Sequence, residues 1–282
     1  MTARPGRGVG YWAQILGVHA VLLTYTVVAT FPILLIILNS FKSRRSIFQT
    51  PYALPNADTF SLAGYQTVFN SARFELYFLN SLIVTLVSLA LILFVSSMAA
   101  HALAEYRFVG NTFMSLYLAV GIMIPIRLGT VSILEMMVDL GLTDTLWSLI
   151  LVYTAQGIPL AVFILSIFLL NVPRDLKDAA RIDGASEYRI YALILPLIRP
   201  ALGTVAIFNM IPIWNDLWFP LILASSEQSK TIILGAQIFL GQYVNDWNAV
   251  LASLTLAMVP IIVLYVIFSR QLIRGLTQGA VK

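Results

Sequence analysis

Hydrophobic and polar positions fall along this chain in long blocks, not at the short periods of soluble strands or amphipathic helices. Six blocks are apolar: Ile15–Leu38, Phe78–Ala100, Thr112–Met136, Leu146–Leu170, Ala201–Ala224 and Val250–Phe268. The first has 24 residues, enough at about 1.5 Å per residue to cross a hydrocarbon layer of roughly 30 Å as a helix. The pattern predicts an all-α polytopic membrane protein with six transmembrane helices in one domain, 15–268. An N-terminal segment, 1–14, and a C-terminal tail, 269–282, flank it. Pro32, expected to kink the first span, and Pro125, Pro159, Pro212 and Pro220 lie inside the blocks.

The polar connections differ in character. Lys42–Glu75 and Ser225–Asn248 are loops with interfacial aromatics, among them Tyr52, Tyr65, Phe239 and Trp247. The segment Asn171–Pro200 instead carries nine charged side chains, from Arg174 to Arg199. Pro173 suits the first turn of a helix, and the residues from there through Ile182 are good helix formers. Leu176, Ala179 and Ala180 then share one face, flat enough for another backbone to approach closely. Gly184 is placed to end this helix with a positive φ. Ser186 can cap a second helix with Glu187 in its first turn. There Ile190, Leu193, Ile194 and Leu197 form an apolar stripe.

Composition supports the membrane reading, with 59% hydrophobic and 11% charged residues and a mean hydropathy of +0.88. The net charge of +4 comes without the basic and aromatic clustering of a nucleic-acid groove and is read as topology. If six spans put both termini on one side, that side holds eleven Lys and Arg and the other five, with Arg127 inside the membrane. The termini and Asn171–Pro200 are thus expected in the cytoplasm. Lys42, Arg44 and Arg45 run against the rule. The basic start MTARPGRG resembles the front of a signal peptide, but the apolar run behind it is too long for one and is expected to be a retained span.

Chemistry is sparse. Cysteine is absent, excluding thiol nucleophiles and thiolate metal sites. His19 and His101 have no metal-ligand partner at helical spacing, and there is no Walker A or H-E-x-x-H signature, so no enzyme reading has support. Ionisable groups inside spans tend to face a cavity, which singles out Arg127. Glu135 and Asp216 lie in or near spans too, or else at span ends among headgroups. Asn80, Tyr153, Gln156, Asn209, Trp214 and Asn215 either offer hydrogen bonds and stacking to a polar solute or bridge helices.

DAARIDGA followed by ILP, at Asp178–Ala185 and Ile194–Pro196, resembles the EAA loop of permease subunits of bacterial ABC importers. NVPRDLKDAARIDGASEYRIY and ILPLIRPAL around it are similar to the maltose permease G-type subunits of the carbohydrate-uptake group. So are NSLIVTL, LGLTDTLWSLIL, WNDLWFPLILA and the terminal RGLTQGAVK, in the same order. The first acidic position of the motif is Asp178 instead of the family's usual Glu. One residue fewer separates Gly184 from Pro196, which in a regular helix rotates the segment beyond it by roughly 100°.

The resemblance implies a type I ABC importer permease fold in a bacterial or archaeal cytoplasmic membrane. It implies that 171–200 is the coupling loop, docking on an ATPase subunit through Asp178, Ala179, Ala180, Asp183, Gly184 and Ala185. The implied partners are a second permease subunit, two ATPase subunits and a solute-binding protein. No cofactor is expected on this chain, ATP and Mg being bound by the ATPases. The loop around Gly235, Gln237, Phe239 and Gly241 is expected to contact the binding protein, and the tail to reach toward the ATPases. A sugar or oligosaccharide is the expected cargo, passed by alternating access. Alternatives are a polyol, a glycerol phosphate or another polar solute on the same machinery, or an ATP-independent transporter or membrane scaffold.

Overall fold

In a computed structural model, which describes residues 9–71, 73–240 and 245–278, helices account for most of the described residues. In order they are α1 Val9–Ser40, α2 Arg44–Gln49, α3 Ala63–Ser71, α4 Phe74–Glu105, α5 Asn111–Met123, α6 Thr130–Asp139, α7 Leu146–Leu170, α8 Arg174–Ile182, α9 Glu187–Ile194, α10 Arg199–Asn215, α11 Trp218–Leu223, α12 Ile232–Ala236 and α13 Trp247–Gln278. Among the described residues, β pairing is limited to two isolated bridges, Lys42 with Phe60 and Leu240 with Asn245.

Three helices are long and apolar enough to cross a membrane unbroken: Tyr11–Ser40, Phe74–Glu105 and Leu146–Leu170. The fourth block of the sequence and α7 share the same bounds. Two further helix pairs are apolar enough when taken together but are sharply bent, Asn111–Met123 with Ile126–Asp139 at 87° and Glu187–Ile194 with Arg199–Asn215 at 74°. The sixth block lies within α13, whose apolar part is Trp247–Val263.

The third block is thus bent within itself, and the fifth is broken between α10 and α11. Pro125 cannot donate a hydrogen bond, and the residue before a proline is pushed toward extended backbone. Ile124 is extended accordingly (φ −85°, ψ 117°), and a tight turn of Ile126–Gly129 leads into α6. In the fifth block Pro220 withholds the N–H that would have bonded the Asp216 carbonyl, and α10 stops at Asn215. Asp216 turns extended, and its carboxylate accepts the amides of Trp218 at 3.3 Å and Phe219 at 3.1 Å. That serves two of the N–H groups a new helix leaves free.

The chain falls into two compact units, Met1–Ser71 with Phe239–Leu256, and Ala72–Ile238 with Ala257–Lys282. In the first, Lys42 is fully buried. Its ammonium donates to Asn39 Oδ1 (3.1 Å) and to the carbonyls of Thr50 (2.8 Å) and Pro51 (3.2 Å). Three acceptors match the three donors of an ammonium group, and desolvation lowers its pKa. Asn248 Nδ2 donates to the Lys42 carbonyl at 2.6 Å. Lys42 thus holds the connection after α1 together.

In the second unit α4 and α7 lie side by side. Ser88 and Ser96 of α4 donate to the carbonyls of Ile150 and Ile158, each at 3.5 Å. Ile92, Leu149, Leu165 and Leu169 form a core that continues through Ile190, Ile194 and Ile198. Gly157 permits this approach, because a Cβ there would lie 2.4 Å from Ile92 Cδ1.

Candidate functional site

The loop between α7 and α10 is built by local rules. Pro173 precedes α8 as its N-cap instead of occupying the first turn. The helix ends as its glycine requires: Gly184 has φ +76°, its N–H reaches Arg181 O (3.0 Å), and Ala185 N–H reaches Ala180 O (2.9 Å). This paired closure serves two carbonyls at the helix end. Ser186 stands at the N-cap of α9, but its side chain makes no capping bond. Its carbonyl receives the amides of Arg189 and Ile190.

The faces of the two helices are not those the spacing suggests. Ala180 and Ala185 pack partly against the core. Leu176, Ala179 and Asp183 point outward, beside an Ile182 that is 86% exposed. In α9 the buried positions are Ile190 and Ile194, continued by Ile198, while Leu193 and Leu197 remain exposed. An i, i+4, i+8 ridge thus carries the packing.

Charge fastens this loop to α4. Lys177, buried, donates to Glu105 Oε2 at 2.6 Å, and Arg181 donates to Glu105 Oε1 at 2.7 Å. Side-chain exposures of 7% for Lys177 and 13% for Glu105 shield this pair from solvent, where Coulomb attraction is strongest. Arg181 also bonds Asp178 (3.1 Å) and Glu187 (3.1 Å), and the Tyr106 hydroxyl donates to Glu187 at 2.7 Å. The Arg181 guanidinium, helped by that hydroxyl, holds Glu187 below the usual carboxylate range. Burial and Glu187 raise Tyr106 to about 12. Asp178, expected to face a partner, here bonds its own helix and stays exposed.

Two more contacts continue upward along α4. Ser97 and Tyr191 hydroxyls lie 2.7 Å apart, and the His101 ring packs 5.4 Å from that of Tyr191. Positions 97, 101 and 105 form one helical stripe at i, i+4, i+8. The sequence holds a signal for this, since Lys177 and Arg181 are themselves i, i+4 and need a shared acid. Glu105 hides it by looking like the edge of a turn.

Among the residues expected on a solute path, four are brought together. Arg127, Tyr153, Gln156 and Asn209 line a small cavity of about 70 Å³ with Pro212, Ile213 and Asp216. Asp216 is its hub, receiving Arg127 Nη2 at 3.3 Å and the Tyr153 hydroxyl at 2.9 Å besides the two amides of α11. Arg127 remains 64% exposed, with its guanidinium 5.9 Å from the centre of the Trp218 ring. The other expected residues lie elsewhere. Trp214 is buried and donates to Ala257 O. Asn215 bonds Ile211 O of its own helix. Asn80 donates to the carbonyls of Gln228 (2.8 Å) and Lys230 (3.0 Å). His19 bonds Ile15 O on the exposed face of α1.

Residues 225–238 are not an open loop. The Tyr77 hydroxyl donates to Glu227, which also pairs with Lys230. Ile232 N–H reaches Ser81 Oγ at 2.8 Å. Gly235 is buried under Tyr77, where a Cβ would lie 2.3 Å from Cδ2. Gln237 is exposed and Phe239 buried, while Gly241 lies outside the described residues. The expected tail continues α13 as far as Gln278, and 279–282 also lie outside them.

Comparison with known proteins places this architecture. Residues 92–278, more than half of the chain, match the family model described as "Binding-protein-dependent transport system inner membrane component". A putative ABC transporter permease protein, ORF2, of Caldicellulosiruptor sp. (strain Rt8B.4) is 35% identical over 93% of this chain and 94% of its own length. The diacetylchitobiose uptake system permease protein NgcG of Streptomyces coelicolor is 31% identical over 93% of this chain and 87% of its own. The arabinooligosaccharides transport system permease protein AraQ of Halalkalibacterium halodurans is 34% identical over 90% and 92%. A chain from the crystal structure of a bacterial ABC transporter involved in the import of alginate superimposes with a TM-score of 0.78. That match covers 96% of this chain and 99% of the other at 21% identity, and so speaks for the fold. With a family model over most of its helices and relatives along nearly its whole length, the chain belongs to the binding-protein-dependent transport inner membrane components, the non-enzymatic permease subunits of ABC importers.

Proposed function

We propose that this permease passes a sugar or oligosaccharide into the cell by alternating access, as one of two related membrane subunits that work with two ATPase subunits and a solute-binding protein. The cargo class rests on relatives whose names specify diacetylchitobiose and arabinooligosaccharides. ATP and Mg belong to the ATPase partners. Both termini and the loop 171–200 face the cytoplasm, on the balance of Lys and Arg.

The observation that carries the coupling role is the outward side of α8. Leu176, Ala179, Ile182 and Asp183 are exposed beside a helix end shaped by Gly184 at φ +76°, while the opposite side is ion-paired to α4. A segment gripped on one side and bare on the other suits a lever docked on a second protein. Asp178, Ala179, Ala180, Asp183, Gly184 and Ala185 form the docking segment, with Ala180 and Ala185 as its inner supports. Arg127, Tyr153, Gln156, Asn209 and Asp216 line the solute path. Gln237 meets the binding protein, in a segment that also contains Gly235, Phe239 and Gly241.

Reconstitution with the ATPase and binding protein in liposomes tests this. Gly184→Pro or Asp178→Lys is expected to abolish uptake while the binding protein still binds its ligand. Unchanged substrate-stimulated ATP hydrolysis in both variants would falsify the coupling role. The cargo is read by mass spectrometry of the ligand released from the co-purified binding protein, and a polyol or glycerol phosphate there would replace the sugar.

A further inference from the structure

The contacts between the loop and α4 assign a transmission role to one residue that the motif does not contain. We propose that Glu105 is the positioning residue through which movement of α8 reaches the membrane helices, so that α4 is driven together with α7 and α10. The inference rests on the coupling role proposed above.

Chain connectivity alone would deliver a displacement of α8 to α7 through 171–173 and to α10 through α9. Those links run along the backbone: a three-residue turn on one side, and on the other a helix pair bent by 74°. The link to α4 is of another kind. Glu105 takes a short charge-assisted bond on each carboxylate oxygen, from Lys177 and Arg181, and such paired bonds fix direction as well as distance. Those two donors stand one turn apart on α8, so the carboxylate resists both translation and rotation of that helix. Arg181 carries the constraint onward to Glu187 at the start of α9, and Ser97 with His101 meets Tyr191 further up. Both loop helices are therefore held by one stripe of α4. That helix in turn packs on α7 through Ser88, Ser96 and the Gly157 approach. A push on α8 then cannot leave α4 behind without breaking a shielded ion pair. Asp178, the acid of the motif itself, touches the same Arg181, so a partner residue that engaged Asp178 would act directly on the clasp.

The test uses the full importer in liposomes and measures solute imported per ATP hydrolysed. Glu105→Gln keeps the shape and removes the charge. It is expected to lower that ratio about ten-fold while the ATPase still co-elutes with the membrane subunits. The exchange Glu105→Lys with Lys177→Glu restores an opposite-charge pair across the same gap and is expected to recover at least half of the lost ratio. Glu105→Lys alone should behave like Glu105→Gln or worse. A normal ratio in Glu105→Gln, or an assembled double exchange that stays as uncoupled as the single change, overturns the proposal. Failure of every variant to assemble also overturns it, because the clasp would then serve folding alone. If Asp178→Lys leaves both ATPase association and coupling intact, it is the docking reading that fails. An intact docking result with an indifferent Glu105 sinks only the present inference.

Discussion

The two ends of α4 hold their neighbouring segments by different means. At its start Tyr77, Asn80, Ser81 and the close fit over Gly235 hold 225–238 mainly through hydrogen bonds and steric contact. At its far end, a shielded Glu105 and its two basic partners hold 171–200 through charge. A steric fit has a short range and one geometry. An ion pair pulls over a longer distance, and two charge-assisted bonds to one carboxylate fix its direction as well. The first device suits a segment that stays put, the second a segment that is moved and must carry its neighbour along.

Breaking the charged end should have the largest effect. Lys177→Ala leaves a mostly buried carboxylate with one partner, a change that costs about 3–5 kcal/mol where pairs are fully shielded. The purified protein should melt well below wild type, and an unshifted thermal transition would show the clasp to be idle. At the steric end, Gly235→Ala forces a methyl group against the Tyr77 ring, with an overpacking cost of about 1–3 kcal/mol. Measured against Tyr77→Leu alone, which already lacks the Glu227 bond, Gly235→Ala should cost less than it does in the wild type, and an equal cost would locate the strain elsewhere. Gly184→Ala places a Cβ in left-handed backbone for about 1–2 kcal/mol, visible as a smaller fall in melting temperature with uptake reduced. The smallest effect concerns Glu187. Its carboxyl lies below its unfolded value in the folded chain, so its contribution is complete above about pH 4.3. It disappears only as pH falls through the lower folded value. Glu187→Gln should therefore shift the transition equally at pH 7 and pH 5.5, and a shift that shrinks at pH 5.5 would break the assignment.

Block hydropathy is enough to locate α7 to the residue and to find the other spans, because burial from water sets both quantities. It does not distinguish one proline from another. Pro32, Pro159, Pro212 and Pro260 stay within helices, whereas Pro125 sits at a break and Pro220 in the first turn after one. The difference comes from whether nearby groups can serve the freed backbone, as Asp216 does for α11, and such partners are distant in sequence. For the same reason the cavity is half visible. Arg127, Tyr153, Gln156 and Asn209 stand out as polar residues in apolar blocks, but Trp214 and Asn80 have the same appearance and serve helix and loop packing. The docking motif is readable from its words. Its anchorage is not, since Glu105 lies about 70 positions away in the chain.

The burial of Lys42 has a practical consequence for chemical probing. The chain has four lysines, at 42, 177, 230 and 282. Lys42 is sealed among carbonyls, Lys177 is locked on Glu105, and Lys230 is engaged by Glu227, while Lys282 lies outside the described residues. An amine-reactive reagent should therefore leave Lys42 and Lys177 unmodified in the folded chain. Acylation appearing first at Lys177 would report release of the loop, and acylation appearing first at Lys42 would report opening of the connection after α1, with no label introduced by mutation.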